Sequence, residues 1–349
     1  MTALTMPARP DQDGARLRPV PWRRMAGVTW RQHRIALAAV ATLLGALAVW
    51  LWIIGIPLHH AYAAAIACHP ASSPACAGLD GTFQGMDNLL TGPATPGGVL
   101  LQAVPVLIGA FAGAPVLARE METGTFRYAW TQGIGRLRWA ADKLVPLAVA
   151  VTAVAGAFTV LMAWYNQPWV AAGYVTLFSA RVFDLLGVAF GAWTLAAFAI
   201  GVLAGMLIRR AVPAIAASLA AYAGLAFATA LWLREHYLTP LVTHNPHLPG
   251  SAWIISHWYT GRNGKPLSQA AISQILQASH PATNGIGPNT SQTVLNAVGY
   301  LTQHGYTFWV SYQPGSRFWP FQWIEGGWLL ALSVLLIAAT VWLVRRRAA

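Results

Sequence analysis

Charge is what this sequence has least of. Asp, Glu, Lys and Arg make up 9% of the 349 residues, against about 25% in an ordinary globular chain. Lysine is nearly missing, with Lys143 and Lys265 alone, and cysteine is limited to Cys68 and Cys76. With 56% of the chain hydrophobic, so few ions cannot keep a surface of this size in water. The composition places the chain among integral membrane proteins. Catalytic signatures are missing too. There is no GxxxxGK[ST] phosphate loop, and GRNGKP from Gly261 has the wrong spacing. HExxH and GxSxG do not occur, which argues against zinc proteolysis of that kind and against nucleophile-elbow hydrolysis. The chain reads as a non-enzyme with no catalytic, cofactor-binding or metal site of its own.

What is present is long apolar runs. A helix needs about 20 apolar residues to cross a bilayer. Six segments qualify, at 35–57, 99–118, 144–164, 185–208, 211–233 and 326–344, and none contains Asp, Glu, Lys or Arg. The fold class is therefore an all-α polytopic membrane protein with six transmembrane helices. Arg209 and Arg210 alone divide the fourth segment from the fifth, which predicts a tight helical hairpin. Pro105, Pro115 and Pro213 mark local kinks or caps. The first segment is not a cleaved signal, because its polar leader and its apolar run are both too long. The charge-free spans argue against proton-coupled carriage, which keeps an ionisable group at membrane depth at a cost of at least ~2.5 kcal/mol. Backbone carbonyls can hold sodium, so a secondary carrier stays open. Gly109 with Gly113, Gly187 with Gly191 and Gly201 with Gly205 each form a GxxxG pair that permits close helix approach. Chance matches are common in so Ala- and Gly-rich a chain.

The net charge of +12 is a topology signal. Residues 1–34, 119–143, 209–210 and 345–349 hold all the Lys and Arg except Arg181, Arg234, Arg262, Lys265 and Arg317. The positive-inside rule makes the first group cytoplasmic, with both termini inside; nucleic acid is not the partner. The domain reading follows. Residues 1–20 are a disordered cytoplasmic tail. Residues 21–34, PWRRMAGVTWRQHR, are an interfacial helix with Trp22, Met25 and Val28 on one side and arginines around it, lying on anionic lipid. Residues 35–233 carry spans one to five, with an external loop at 58–98 and a cytoplasmic loop at 119–143. Residues 234–325 form an external, mostly helical region, and 326–349 the sixth span and a basic tail. Within the external region one amphipathic helix presents Leu267, Ala271, Ile275 and Ala278. A second presents Val294, Leu295, Val298 and Leu301, with Gly305 as its stop. The aromatic run FWVSYQPGSRFWPFQWIEGGW suits the membrane interface. Cys68 and Cys76 face outside, where they either pair or stay as thiols. His244 and His247 lack the companions that a metal site needs.

One segment breaks the apolar pattern. AREMETGTFRYAWTQGIGRLRWAADK, from Ala118 to Lys143, carries a quarter of all the charge in the chain. Gly124 permits a turn and Thr125 can cap a following helix, with Glu120 and Glu122 near its start. Arg127, Tyr128 and Trp130 are side chains of the kind enriched at interface hot spots. A loop that only set topology has no reason to carry them.

The acidic start at Glu120 and Glu122, the Gly124–Thr125 step, Thr131, a Gly, Arg136 and the closing Lys143 together resemble the loop of bacterial ABC-2 type permeases. The six-span layout and the basic N-terminal segment extend that resemblance over nearly the full length. It implies a separate soluble ABC ATPase, in two copies, that holds the ATP and Mg. It also implies a second permease chain, in a homodimer or heterodimer. The 119–143 loop becomes a coupling element, with Glu120, Glu122, Gly124, Thr125, Arg127, Tyr128, Trp130, Thr131, Arg136 and Lys143 as docking or loop-shaping residues. The 21–34 segment becomes an elbow helix. The expected role is export of an apolar or amphipathic substrate, such as a drug, antibiotic or lipid-like molecule, across a bacterial plasma membrane. Gln102 is the polar candidate on its path. The alternatives are a non-transporting sensor or assembly protein that displays 234–325, and a secondary carrier.

Overall fold

The computed structural model describes residues 22–70, 73–86, 101–125, 135–245, 248–261, 263–279, 299 and 301–347. Within them, six helices are long and apolar enough to cross a membrane: Leu44–Ala67, Val104–Thr123, Arg136–Ala171, Gly187–Ile208, Ala211–His236 and Gly315–Arg346. They are the first to sixth spans below. The fourth is the hub and packs on the second, third, fifth and sixth, while the first leans on the third.

Small residues explain how close the hub can come. The second span runs as Val104–Ile108, a π turn at Gly109–Gly113 and Ala114–Thr123, with Pro105 and Pro115 in the first turn of each α piece. Its Gly109 and Gly113 lie against the backbone of Ala197 and Phe198, and Gly201 and Gly205 lie against that of Gly109 and Ala114. A side chain at Gly201 would run into the Gly109 carbonyl. Two GxxxG pairs therefore form a backbone-to-backbone seam. The third does not: Gly187 starts its helix at φ 63°, and the space around Gly191 is open.

Several boundaries differ from the sequence reading. The first helix runs from Trp22 to Ala67, with no break between the basic segment and the first span. The fifth continues past Ala228 through a π turn at Thr229–Leu233 and a 3-10 turn at Arg234–His236. The sixth is helical from Phe318 to Arg347. Arg234 and Glu325 thus belong to spans that the sequence draws as free of charge.

Among the described residues, the region between the fifth and sixth spans is not mostly helical. It holds a three-stranded sheet of order β1-β3-β2, with β1 at Leu241–Thr243, β2 at Trp253–Thr260 and β3 at Thr307–Gln313. Both pairings are antiparallel, and β2 carries an irregularity between Ile254 and Ser256. WIISHWYT and TFWVSYQ are rich in aromatic and β-branched residues, which suits a pleated surface. The aromatic run of the sequence is accordingly split between β3 and the start of the sixth span. The Gln269–Ser279 helix does form, and Ile272 packs with Tyr259 and Leu301 under the sheet. Most of the second proposed helix, including Val294, Leu295 and Val298, lies outside the described residues. Gly305 has φ 83°, as a chain stop requires.

Two apolar cores stack along the bundle. One, toward the sheet, gathers Leu51, Phe83, Phe158, Phe183, Trp193 and Phe321. The other, toward the Arg209–Arg210 turn, gathers Leu117, Trp139, Leu144, Phe198, Met206 and Val344. These are called the sheet end and the loop end. Trp253 of β2 stacks on Phe178 at 5.6 Å and meets Phe321 edge-on, which seats the sheet on the bundle.

Candidate functional site

At the sheet end three charges meet inside the bundle. Arg234 of the fifth span and Glu325 of the sixth are 4% and 0% exposed. Arg234 donates from Nε to Glu325 Oε2 at 3.0 Å and from Nη2 to Glu325 Oε1 at 2.8 Å. Its Nη2 also bonds Asp184, just ahead of the fourth span, and its guanidinium lies 4.3 Å over the Phe183 ring. Glu325 accepts two more bonds, from Trp193 Nε1 at 2.8 Å and from the Tyr237 hydroxyl at 3.2 Å. One turn earlier, Gln322 accepts from the Ala189 amide and donates to the Phe183 carbonyl, so it closes the N-terminus of the fourth span. This overturns the expectation that no carboxylate is buried in the spans.

The cluster forms one end of a cleft of about 490 Å³ between the second, fourth and fifth spans. The walls are mostly apolar, with Val106, Leu219, Ala226 and Phe227, and the aromatic faces of Trp193 and Tyr222. Gln102 lines it as well and donates to Asp184 Oδ2 at 3.3 Å. An apolar pocket with a few convergent polar groups is the usual form of a small-molecule site.

The loop end is organised by the acidic residues that the sequence singles out, in a different way. Glu120 and Glu122 lie in the last turn of a helix that ends at Thr123, not at the start of a following one. Gly124 stops that helix in the left-handed conformation, φ 70°, and the Thr125 hydroxyl shares a hydrogen bond with Thr123. Glu120 is ion-paired to Lys143 at the head of the third span, with side chains only 16% and 8% exposed. Lys143 also sits 4.8 Å over the Trp139 ring. Glu122 accepts from the Ala211 amide at 3.2 Å, which places a negative charge on the N-terminus of the fifth span. Arg136 donates to the Arg345 carbonyl at 3.4 Å. The two ends of the loop are thus stapled to each other and to the fifth and sixth spans. Arg127, Tyr128, Trp130 and Thr131 lie outside the described residues.

A family model described as "ABC-2 membrane transporter related" matches residues 41–234, more than half of the chain. The chain belongs to this ABC-2 family. No curated protein and no solved structure matches it. An ABC-2 permease is a multi-pass membrane subunit that works with an ATPase, which agrees with six apolar helices in one chain. The match ends at Arg234, so the sheet and Glu325 lie beyond the part shared with the ABC-2 model.

Elsewhere in this ABC-2 chain, Cys68 and Cys76 are joined in a disulfide with Cα atoms 5.5 Å apart. It ties the end of the first span to a short helix, Pro74–Gln84, whose Ser73 side chain caps the Cys76 amide. Tyr174 donates to Asp80 at 3.0 Å and accepts from Gln84 at 2.7 Å. Partial burial, then the Asp80 carboxylate, push the Tyr174 hydroxyl above the usual phenol range. Among the described residues no His, Cys, Asp and Glu group could hold a metal. His244 packs edge-on to Trp309, and His247 is outside the described residues. Gln102, the polar candidate of the sequence reading, lies beside Asp184, and that reading did not single out Asp184, Arg234 or Glu325. The available signal was their position: each stands one residue beyond the end of an apolar run, and all three on the same side.

Proposed function

We propose that the chain is the membrane-spanning permease subunit of an ATP-driven exporter that moves an amphipathic substrate through the cleft at Gln102 and Asp184. One observation carries this: a cleft of about 490 Å³ with apolar walls and a charged end, placed between spans that the seam of small residues holds together. In this reading the loop end is cytoplasmic, as the arginine distribution predicts, and the sheet lies outside a bacterial plasma membrane. Two ATPase copies and a second permease chain complete the transporter. The ATPase docks on the 119–143 coupling segment, where Arg127, Tyr128 and Trp130 are the anchors. Glu120, Glu122, Lys143 and Arg136 hold the base of that loop and pass its movement to the third, fifth and sixth spans.

The test is reconstitution with the partner ATPase in proteoliposomes, reading substrate efflux and ATP turnover. Efflux that needs ATP, and that stops when Arg127→Glu blocks ATPase association, supports the reading. ATP-independent movement sinks it. A buried charge cluster also suits an ion-coupled carrier, and efflux that follows an imposed ion gradient without ATP would favour that second reading.

A further inference from the structure

The cleft is built for one sign of charge. Among its lining side chains Arg234 and Asp184 are the charged ones. Arg234 is already engaged, with both oxygens of Glu325 and with Asp184, and Phe183 covers its face. Two carboxylates share one guanidinium, so with both ionised the cluster carries one net negative charge. Glu325 is fully buried behind the arginine, whereas the Asp184 side chain keeps 22% of its surface open. Asp184 lines the cleft, and its second oxygen meets only the long 3.3 Å contact from Gln102 among the hydrogen bonds described. Trp193 and Tyr222, packed edge to face with centroids 5.3 Å apart, supply aromatic surface beside it.

An anionic group entering this cleft meets an excess carboxylate where water is scarce. A neutral apolar molecule fills the walls and leaves that charge unanswered. A cation with a bulky apolar body answers both, and aromatic faces attract it further. The volume falls in the range of small-molecule sites, about 300–1,000 Å³. We propose that the cleft selects amphipathic cations, amines or quaternary onium ions, with the positive centre at Asp184 and the apolar body along Leu219, Ala226 and Phe227. The inference rests on the reading of this cleft as the substrate site.

The test is equilibrium binding to the purified full-length chain in lipid nanodiscs. The probes are tetraphenylphosphonium, its anionic isostere tetraphenylborate, and neutral triphenylphosphine oxide, with uptake by protein-free nanodiscs subtracted. The expected order is phosphonium first and borate last. Asp184→Asn should weaken phosphonium binding about tenfold, because it removes the carboxylate that attracts the onium charge, and leave the neutral probe unchanged. Gln102→Lys, which sets a positive charge beside Asp184 and leaves Asp184, Arg234 and Glu325 themselves in place, should give the same loss. It guards against misfolding of the first variant. Ala226→Trp, which fills the cleft, should abolish both. If Ala226→Trp leaves phosphonium bound, the cleft is not the site and the underlying reading fails. If it abolishes binding while Asp184→Asn and Gln102→Lys leave the probe order intact, the cleft stands and cation selection falls. Stronger binding of borate, or no saturable phosphonium binding to the parent, overturns the proposal.

Discussion

Replacing Glu325 with alanine should be among the most damaging single changes in the bundle. The carboxylate is fully buried and receives four donors: two from Arg234 and one each from Trp193 and Tyr237. Removing one partner of a buried ion pair costs about 3–5 kcal/mol, because the other charge stays behind unpaired. Two considerations set the value within that range. Arg234 keeps its bond to Asp184, which lowers the cost. The Trp193 indole loses its partner in the core, and an orphaned buried donor costs about 1–3 kcal/mol, not additively within one network. The expected loss is about 3–4 kcal/mol. Glu325→Gln keeps one acceptor oxygen and loses the charge, so about half of that is expected. Replacing both partners, Arg234→Met with Glu325→Leu, in an Asp184→Asn background so that no carboxylate is left without its cation, should recover part of the loss, since apolar groups of similar volume often match buried ions. The assay is reversible unfolding in mixed micelles, titrated with an anionic detergent and followed by tryptophan fluorescence. A Glu325→Ala loss under about 1 kcal/mol would mean that water reaches the cluster. Losses that simply add in the combined variant would mean that these side chains do not act together.

Three further outcomes follow from the same geometry. Gly201→Leu should cost at least about 2 kcal/mol in that assay by driving the second and fourth spans apart, whereas Gly191→Ala, with open space around it, should change stability by under about 1 kcal/mol. Glu120→Lys should lower ATPase co-purification and ATP turnover several-fold, and adding Lys143→Glu should restore both; equal turnover in all three proteins would sever the stem of the loop from coupling. Without reductant the chain should take up no alkylating mass, and Cys76→Ser should cost about 2 kcal/mol, the scale for closing so short a loop; labelling of both cysteines in the untreated protein would refute the disulfide.

Much of the helical frame was legible because apolar length is a local property. The Arg209–Arg210 hairpin appears as drawn, with Arg209 at φ 59° and Arg210 extended. The charge cluster was not legible, because an apolar window ends at the first charged residue, and Asp184, Arg234 and Glu325 are those residues. Their partners are 50 and 91 positions apart, a separation no local pattern records. The sheet escaped for a related reason. β2 and β3 are dense in Trp, Tyr and other large apolar residues, a composition shared with interfacial segments, and only their pairing across the intervening helix distinguishes the two. Glu120 and Glu122 were read as lying near the start of a helix after Gly124, and they lie in the last turn of the helix before it. A glycine between two polar turns reads equally as the end of one helix or the approach to the next. Arg119, Met121 and Glu122 are good helix formers, and they carry the second span one turn past its apolar run.

The fifth span is fastened unequally at its two ends. Near one end Arg234 is buried among two carboxylates and an aromatic ring; at the other, the Ala211 amide rests on a single exposed oxygen of Glu122. Mechanically this is a lever with a firm pivot and a light catch, about 35 Å long at 1.5 Å per residue. In the proposed exporter, a force that frees Glu122 and slides Ala214 off Ala114 and Ala118 would turn the helix about Arg234, and a tilt of roughly 10° would carry Ala211 about 6 Å while the pivot stays in place. The cleft wall would widen in proportion to its distance from Asp184. Spin labels at Val212 and Leu137, both exposed at the loop end, would register such a swing, and a fixed distance between them through the ATP cycle would exclude it.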